Sequence, residues 1–187
     1  MKKALVILLL SIHWQVEAQS DLSESISTIK IGGGYSKDFP GLSGYALNAE
    51  YTYSLHKKLQ GGFGVKRVNM SGYPRTSTVE EYTRATTLDF NIYFLALATD
   101  RSVVRIGTGY SFSFYKTRRS YPLTETQSTE KIISWPINDL SGRSSGIILS
   151  GEYEYIFSQN FSLGIKGSLC KAYDHIFYAG PFVGIRL

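Results

Sequence analysis

The chain has few of the residues that crosslink small exported proteins or build metal sites. It contains a single cysteine, Cys170, in 187 residues, so neither an internal disulfide nor a zinc or redox cysteine pair can form. Of its three histidines, only His56 and His175 lie beyond the first 18 residues. We therefore predict no metal site and no cofactor, and something other than disulfides must hold the fold together.

Long apolar runs are also absent. The longest, residues 4–12, follows Lys2 and Lys3 and precedes Ala18, a small residue that suits signal peptidase. It has about half of the roughly 20 apolar residues that a membrane-spanning helix needs. We predict a secretory signal peptide at 1–18 and one mature domain at 19–187. No cysteine lies near the cleavage point, so a lipid-anchored protein is not expected.

Helical periodicity is lacking beyond the signal, whereas aromatic residues and glycine are abundant. The chain has 14 Tyr, 10 Phe, 2 Trp and 18 Gly, a composition that favours strands and tight turns. Alternation with a period of two recurs to the last residue. We predict an all-β fold of eight strands, at 27–36, 44–56, 60–70, 86–98, 102–115, 145–157, 161–171 and 176–187.

The predicted connections alternate between two kinds. Residues 57–59, 99–101 and 158–160 have the length of hairpin turns. The other connections are 36–43, 71–85, 116–144 and 172–175, of which two are long and polar. Short turns would therefore lie at one end of the sheet and longer loops at the other.

Each strand has one apolar face and one polar face. Phe90 and Ile92 alternate with Asp89 and Asn91, for example. A soluble barrel would bury the apolar face, and a membrane barrel would expose it to lipid. The polar faces are rich in glycine, which suits a narrow barrel interior, and the apolar faces carry aromatic rings near strand ends, as at a bilayer interface. These features favour a membrane barrel; the alternative is a secreted soluble barrel that binds a small apolar ligand.

The C-terminal segment FYAGPFVGIRL is a strand that runs to the last residue. With the alternating faces and turns, it resembles the small eight-stranded outer-membrane β-barrels, the class of the OmpA membrane domain and OmpX, including those of Bacteroidetes-type bacteria. The resemblance implies an antiparallel up-and-down transmembrane barrel in the bacterial outer membrane. It also implies insertion by the barrel-assembly machinery and contact with lipopolysaccharide. Two residues depart from the pattern: Leu187 replaces the usual Phe, and Pro181 removes a backbone donor, so we expect a local bulge there.

The polar faces predict a set of inward charges. If 158–160 is a three-residue turn, Glu152 lies opposite Lys166, and the same rule at 57–59 places Glu50 opposite Lys66. Positive and negative charges nearly cancel, and an eight-stranded barrel is only just wide enough for its own side chains. We predict a charge-plugged lumen rather than a conducting pore, formed by Lys30, Glu50, Lys66, Asp89, Arg105, Glu152, Glu154, Lys166 and Arg186.

Enzymatic interpretations have less support. Glu152 and Glu154 are neighbours on one strand with a lysine opposite, so we interpret them as lumen lining rather than as a glycosidase pair. The runner-up is a lipid A-modifying hydrolase at the outer rim, with His175 and Asp174 near Ser168 and Cys170. No His-x-Ser motif of the deacylase kind is present. We predict that the protein is not an enzyme and has no catalytic residues.

The third outer loop suggests a surface role. Lys116, Arg118, Arg119 and Trp135 could contact lipopolysaccharide phosphates or a surface partner, although a solvated mobile loop explains the same residues. No basic stripe with base-stacking aromatic residues is present, so nucleic-acid binding is not expected. The predicted function is structural or surface-interactive, and the surface ligand remains open.

Overall fold

The computed structural model describes residues 27–39, 41–73, 79–120, 123–127, 130–134, 137–172 and 174–187. The predicted signal peptide at 1–18 and Trp135 lie outside these ranges. Within them, we find no α-helix with the length and hydrophobicity of a membrane span.

The strands are β1 Thr28–Asp38, β2 Ser43–His56, β3 Leu59–Gly72, β4 Glu81–Ala98, β5 Ser102–Ser120, β6 Leu123–Gln127, β7 Glu130–Ser134, β8 Ile137–Ile156, β9 Phe161–Lys171 and β10 His175–Arg186. Eight of them close into one antiparallel barrel in the order β1-β10-β9-β8-β5-β4-β3-β2, and β6 pairs with β7 in a separate two-stranded sheet. This confirms the predicted up-and-down eight-stranded barrel.

The third outer connection is shorter than predicted. We expected a loop at 116–144, but β5 runs to Ser120 and β8 begins at Ile137, and the two strands pair as far as Ser120 opposite Ile137. This part of β8 is polar or exposed on both faces, so it carries little of the alternation by which strands are recognised. The hairpin therefore extends well beyond the predicted strand ends.

The two short turns used to predict register behave differently. At 158–160 the prediction is confirmed, and Glu152 lies opposite Lys166. At the β2–β3 turn a bulge falls between Ser54 and His56, so that Glu50 lies opposite Gly64 rather than Lys66. The predicted pairing of Glu50 with Lys66 was wrong for two reasons. The turn has two residues rather than three, because His56 already lies opposite Leu59, and the bulge adds one more residue, so the ladder moves by two positions in all.

The barrel closes between β1 and β10 without the bulge that we expected at Pro181. The ladder keeps one register from Thr28 opposite Arg186 to Asp38 opposite Ile176, with an interruption at Gly33 and Gly34. On its other side Pro181 stays in register with Ile165 of β9. Pro181 has no backbone N–H to donate, and it falls in this interrupted stretch, where β1 and β10 form no ladder pairs.

The barrel wall separates apolar from charged side chains. Its outer face exposes rings and branched chains, including Tyr153, Tyr155 and Ile165, which are 42%, 41% and 62% exposed. Its inner face buries Glu152 and Glu154 at 4% and 1% exposure. The predicted faces are confirmed, and the soluble alternative with an apolar ligand pocket is contradicted because the apolar faces point away from the lumen.

Candidate functional site

A charged layer fills the half of the lumen nearer the short turns. Eight of the nine predicted inward charges are buried there, and four cations face four carboxylates: Lys30, Lys66, Arg105 and Lys166 against Glu50, Asp89, Glu152 and Glu154. The ninth, Arg186, is only half-buried at the turn end of β10 and lies outside the ion pairs of the described chain. The buried layer is therefore electrically balanced.

The first group of ion pairs centres on Glu152. Its Oε1 accepts hydrogen bonds from Lys30 and, at 2.6 Å, from Nη1 of Arg105. Arg105 also binds Glu154 and donates from Nε to Gln60 Oε1 at 2.7 Å. Although Lys166 lies opposite Glu152 in the ladder, it is not the ion-pair partner, because Lys30 reaches across the lumen from β1. The group joins strands β1, β3, β5 and β8.

The second group centres on Glu50. Lys166 Nζ donates to Glu50 Oε2 at 2.6 Å and to the Tyr93 hydroxyl oxygen at 2.8 Å. The Tyr93 hydroxyl donates to Glu50 Oε1 at 2.6 Å, and Asn91 donates to the same oxygen at 3.1 Å. Tyr93 follows Asn91 on the polar face of β4, and we predicted no role for it. A buried tyrosine hydroxyl needs a polar partner, and that was the available signal.

A third ion pair lies beside these groups. Lys66 Nζ is 3.2 Å from Asp89 Oδ2, and the Ser111 hydroxyl donates to Asp89 Oδ1 at 2.6 Å. Each buried carboxylate thus has a cationic partner, which offsets the cost of taking it out of water.

Glycines on the inner face make room for the Tyr93 ring. A Cβ atom at Gly107 would lie 2.5 Å from this ring, and one at Gly62 would lie 2.9 Å from it. A Cβ at Gly164 would similarly clash with the ring of Phe182. The glycines of the polar faces therefore admit large side chains to a narrow lumen.

Replacing Tyr93 by Phe should lower the free energy of unfolding by about 1–3 kcal/mol, because Glu50 and Lys166 each lose a buried hydrogen-bond partner. Urea unfolding of the barrel in lipid vesicles, followed by circular dichroism, measures this change. The matched control is Tyr110→Phe, which removes an exposed hydroxyl that donates to Ser145 at 2.8 Å. Equal effects of the two substitutions would contradict the assigned role of Tyr93.

An apolar layer fills the lumen nearer the outer loops, and sequence analysis missed it. Val68 and Met70 follow Lys66 on the inner face of β3, so strand parity was the signal that could have found them. The Tyr178 hydroxyl donates to Asn48 Oδ1 at 2.8 Å where this layer meets the charged one. The buried members are Leu42, Ala46, Val68, Met70, Ala85, Ile176 and Tyr178.

Arg119 lies at the outer rim of the lumen and is 7% exposed. Its Nη2 is 2.6 Å from Asp38 Oδ2 and 3.2 Å from Asp174 Oδ2, and its Nη1 is 3.5 Å from Glu81 Oε2. Burial raises the pKa of Asp174, and the nearby Arg119 charge opposes that shift. We predicted Arg119 as an outer-loop contact. That was wrong because β5 remains a strand to Ser120, which turns this side chain inward.

The other predicted outer contacts differ in their surroundings. Lys116 is exposed on the outer face of β5. Arg118 donates to Asp139 from Nε at 2.8 Å and from Nη2 at 3.1 Å, and its guanidinium lies 5.2 Å from the centre of the Tyr82 ring. Arg118 is therefore held on the surface by its neighbours.

The residues of the hydrolase alternative are not brought together. Ser168 and Cys170 are buried on the inner face of β9. The His175 ring instead packs 5.3 Å from the Phe39 ring, and Asp174 is bound to Arg119 and to the His175 backbone N–H. Among the described residues, no group of three or more candidate ligands could hold a metal ion.

Comparisons with known proteins report on the fold. No protein-family model matches the chain, and no curated protein is similar to it in sequence. Among solved structures, it is similar to Ail, the attachment invasion locus protein of Yersinia pestis, with a TM-score of 0.54, 13% identity, and coverage of 88% of this chain and 99% of Ail. Another Ail structure is a complex with the heparin analogue sucrose octasulfate.

Two further structures have the same fold. Neisserial surface protein A gives a TM-score of 0.56 at 11% identity, with 87% of this chain and 96% of that chain covered. The N-terminal β-barrel domain of Pseudomonas aeruginosa OprF gives 0.52 at 13% identity, with 88% and 100% covered. These similarities confirm the predicted fold, that of the small bacterial outer-membrane β-barrels.

Proposed function

We propose that the chain is an integral outer-membrane protein with a structural or surface-interaction role and a lumen closed by its own side chains. The observation that carries this proposal is the reversed distribution of polarity across the wall. The charged layer buries four cations and four carboxylates inside the barrel, whereas the outside exposes Ile, Leu, Phe and Tyr. Such an exterior is unfavourable in water and favourable in a bilayer.

The packing of the lumen supports a closed barrel. The cavity within the charged layer, between Glu50, Lys66, Asp89 and Lys166, has a volume of about 10 Å³. A space of that size holds about one water molecule. The apolar layer and the Arg119 group lie between this cavity and the outer end, so we propose that ions do not pass.

A surface role is supported by the β5–β8 hairpin. Strand β9 ends at Lys171, opposite Ile147, so within the described residues the earlier part of β8 pairs with β5 alone. This leaves a strand edge that can accept another chain. The similarity in fold to Ail, an attachment protein by name, agrees with contact outside the cell. The partners we propose are outer-membrane lipid, lipopolysaccharide and, during insertion, the barrel-assembly machinery.

Cell fractionation tests the membrane assignment. We expect the protein to remain with outer membranes after a carbonate wash, because its apolar exterior requires lipid. On a gel, the unboiled sample should migrate faster than the boiled one, as a closed barrel does. Recovery in the soluble fraction with no difference in mobility would contradict the proposal.

A further inference from the structure

Four neighbouring strands carry a basic residue where their outer faces leave the apolar belt. Arg67 follows Val65 on β3, and Lys116 follows Phe114 on β5. Arg84 lies above Thr86 and Leu88 on β4, and Arg143 lies above Ser145 and Ile147 on β8. All four are exposed on the outside of the barrel.

These residues line one shallow groove. Its volume is about 470 Å³, and its wall includes all four basic residues together with Phe114 and Ser141. The strand register places Arg84 directly opposite Lys116. Arg143 lies opposite Phe114, with its guanidinium 5.7 Å from the ring centre. The groove thus combines four positive charges with an aromatic surface.

None of the four cations forms an ion pair within the described part of the protein, whereas Arg105, Arg118 and Arg119 all do. Asp139 lies near Lys116 but is already paired with Arg118. Like charges directly opposite in an antiparallel pair are destabilising, and Arg84 faces Lys116 in this way. Arg67 is held by donating from Nη1 to Thr86 Oγ1 at 2.6 Å. A bound anion would relieve the repulsion between the other cations.

We propose that this groove binds the phosphate groups of a phosphorylated lipid of the outer leaflet. Guanidinium groups bind phosphate oxygens in bidentate geometry, which suits the three arginines. On the same outer face, Val65, Leu88 and Phe112 lie next to the groove on the side of the membrane centre, where acyl chains would pack. That apolar continuation selects a lipid over a free phosphate ion. The inference rests on the proposed outer-membrane location.

Lipid binding by the purified full-length protein tests this assignment. Native mass spectrometry in detergent would measure its affinity for diphosphoryl lipid A, for the dephosphorylated lipid, and for both in the presence of inorganic phosphate. Arg84→Gln with Lys116→Gln should weaken binding of the phosphorylated lipid about thirtyfold, since each cation at an anionic surface contributes about fivefold. Arg67→Gln with Arg143→Gln should have a similar effect.

The matched control is Lys37→Gln with Lys171→Gln, which removes two exposed cations from the outer ends of β1 and β9. Unchanged lipid binding by this control supports the assignment of the site to the groove. A loss of binding equal to that of the groove variants shows that any exposed basic residue suffices and overturns the assignment. Equal affinity for the dephosphorylated lipid also overturns it. Displacement by millimolar inorganic phosphate would identify a free anion as the ligand and refute the lipid.

Two outcomes distinguish a failure of this inference from a failure of the proposed outer-membrane location. Each variant is first checked for the mobility shift between unboiled and boiled samples, so that only closed barrels are compared. Wild-type protein that fractionates with membranes but does not prefer the phosphorylated lipid refutes this inference alone. Wild-type protein in the soluble fraction refutes the proposed function itself.

Discussion

Replacing Glu152 by Gln is expected to lower the free energy of unfolding of the barrel by about 3–5 kcal/mol, the usual cost of leaving a buried charge uncompensated. Oε1 of Glu152 is the meeting point of Lys30 and Arg105, and the side chains of all three are at most 4% exposed. Glutamine has nearly the same shape but no charge. The charged layer would then hold four cations against three carboxylates. Urea titration in lipid vesicles, read from the unboiled gel band, measures the change.

Two further variants separate charge balance from packing. Adding Lys30→Met to Glu152→Gln removes one of the two cations that Glu152 binds, so the double variant should be more stable than the sum of the two single effects predicts. Glu80→Gln, on an exposed loop, controls for the loss of any glutamate and should change stability by less than about 0.5 kcal/mol. Strict additivity of the lumen substitutions would refute the coupling.

Replacing Arg119 by Gln is expected to destabilise the outer rim by about 3–5 kcal/mol, because Asp38, Glu81 and Asp174 lose the cation between them. The deficit should shrink as pH falls. Burial already raises the pKa of Asp174. Without Arg119 the carboxylates repel one another, and protonation of one of them removes that repulsion. Hydrogen exchange at the outer ends of β1 and β4, measured at neutral and acidic pH, locates the effect.

Arg118→Gln is the matched control for this prediction. Arg118 is the neighbouring residue, and it too binds a carboxylate, that of Asp139, but the pair is exposed to solvent. An exposed pair of this kind contributes little to stability, because solvent screens the attraction between its charges. If both variants lost the same stability, or if hydrogen exchange in Arg119→Gln were unchanged at the rim, the assigned role of Arg119 would be wrong.

Much of the fold could be predicted from sequence because it depends on local alternation. Phe90 and Ile92 face outward while Asp89 and Asn91 face inward, and this pattern can be seen without knowing any neighbouring strand. The turn at 158–160 also sets the register of its hairpin, so Glu152 could be placed opposite Lys166. Prediction failed at the β2–β3 hairpin, since neither a turn of two rather than three residues nor a one-residue bulge leaves a clear mark in the sequence.

Strand ends were harder to predict than strand faces. Arg119 was assigned to a loop because residues beyond 115 lose the apolar alternation of a bilayer-facing strand. In the structure, pairing between β5 and β8 continues there, and backbone hydrogen bonds extend the strand without an apolar face. The inward direction of Arg119 follows from that extension.

Residue type and a period of two were sufficient to predict the barrel, the polarity of its two faces and the near balance of its inner charges. The ion-pair partners could be assigned only in the folded barrel. Glu152 binds Lys30 rather than Lys166, which binds Glu50 instead, and Arg119 joins three carboxylates from separate elements. These contacts cross the lumen between residues far apart in the chain, and closure of the barrel sets their distances.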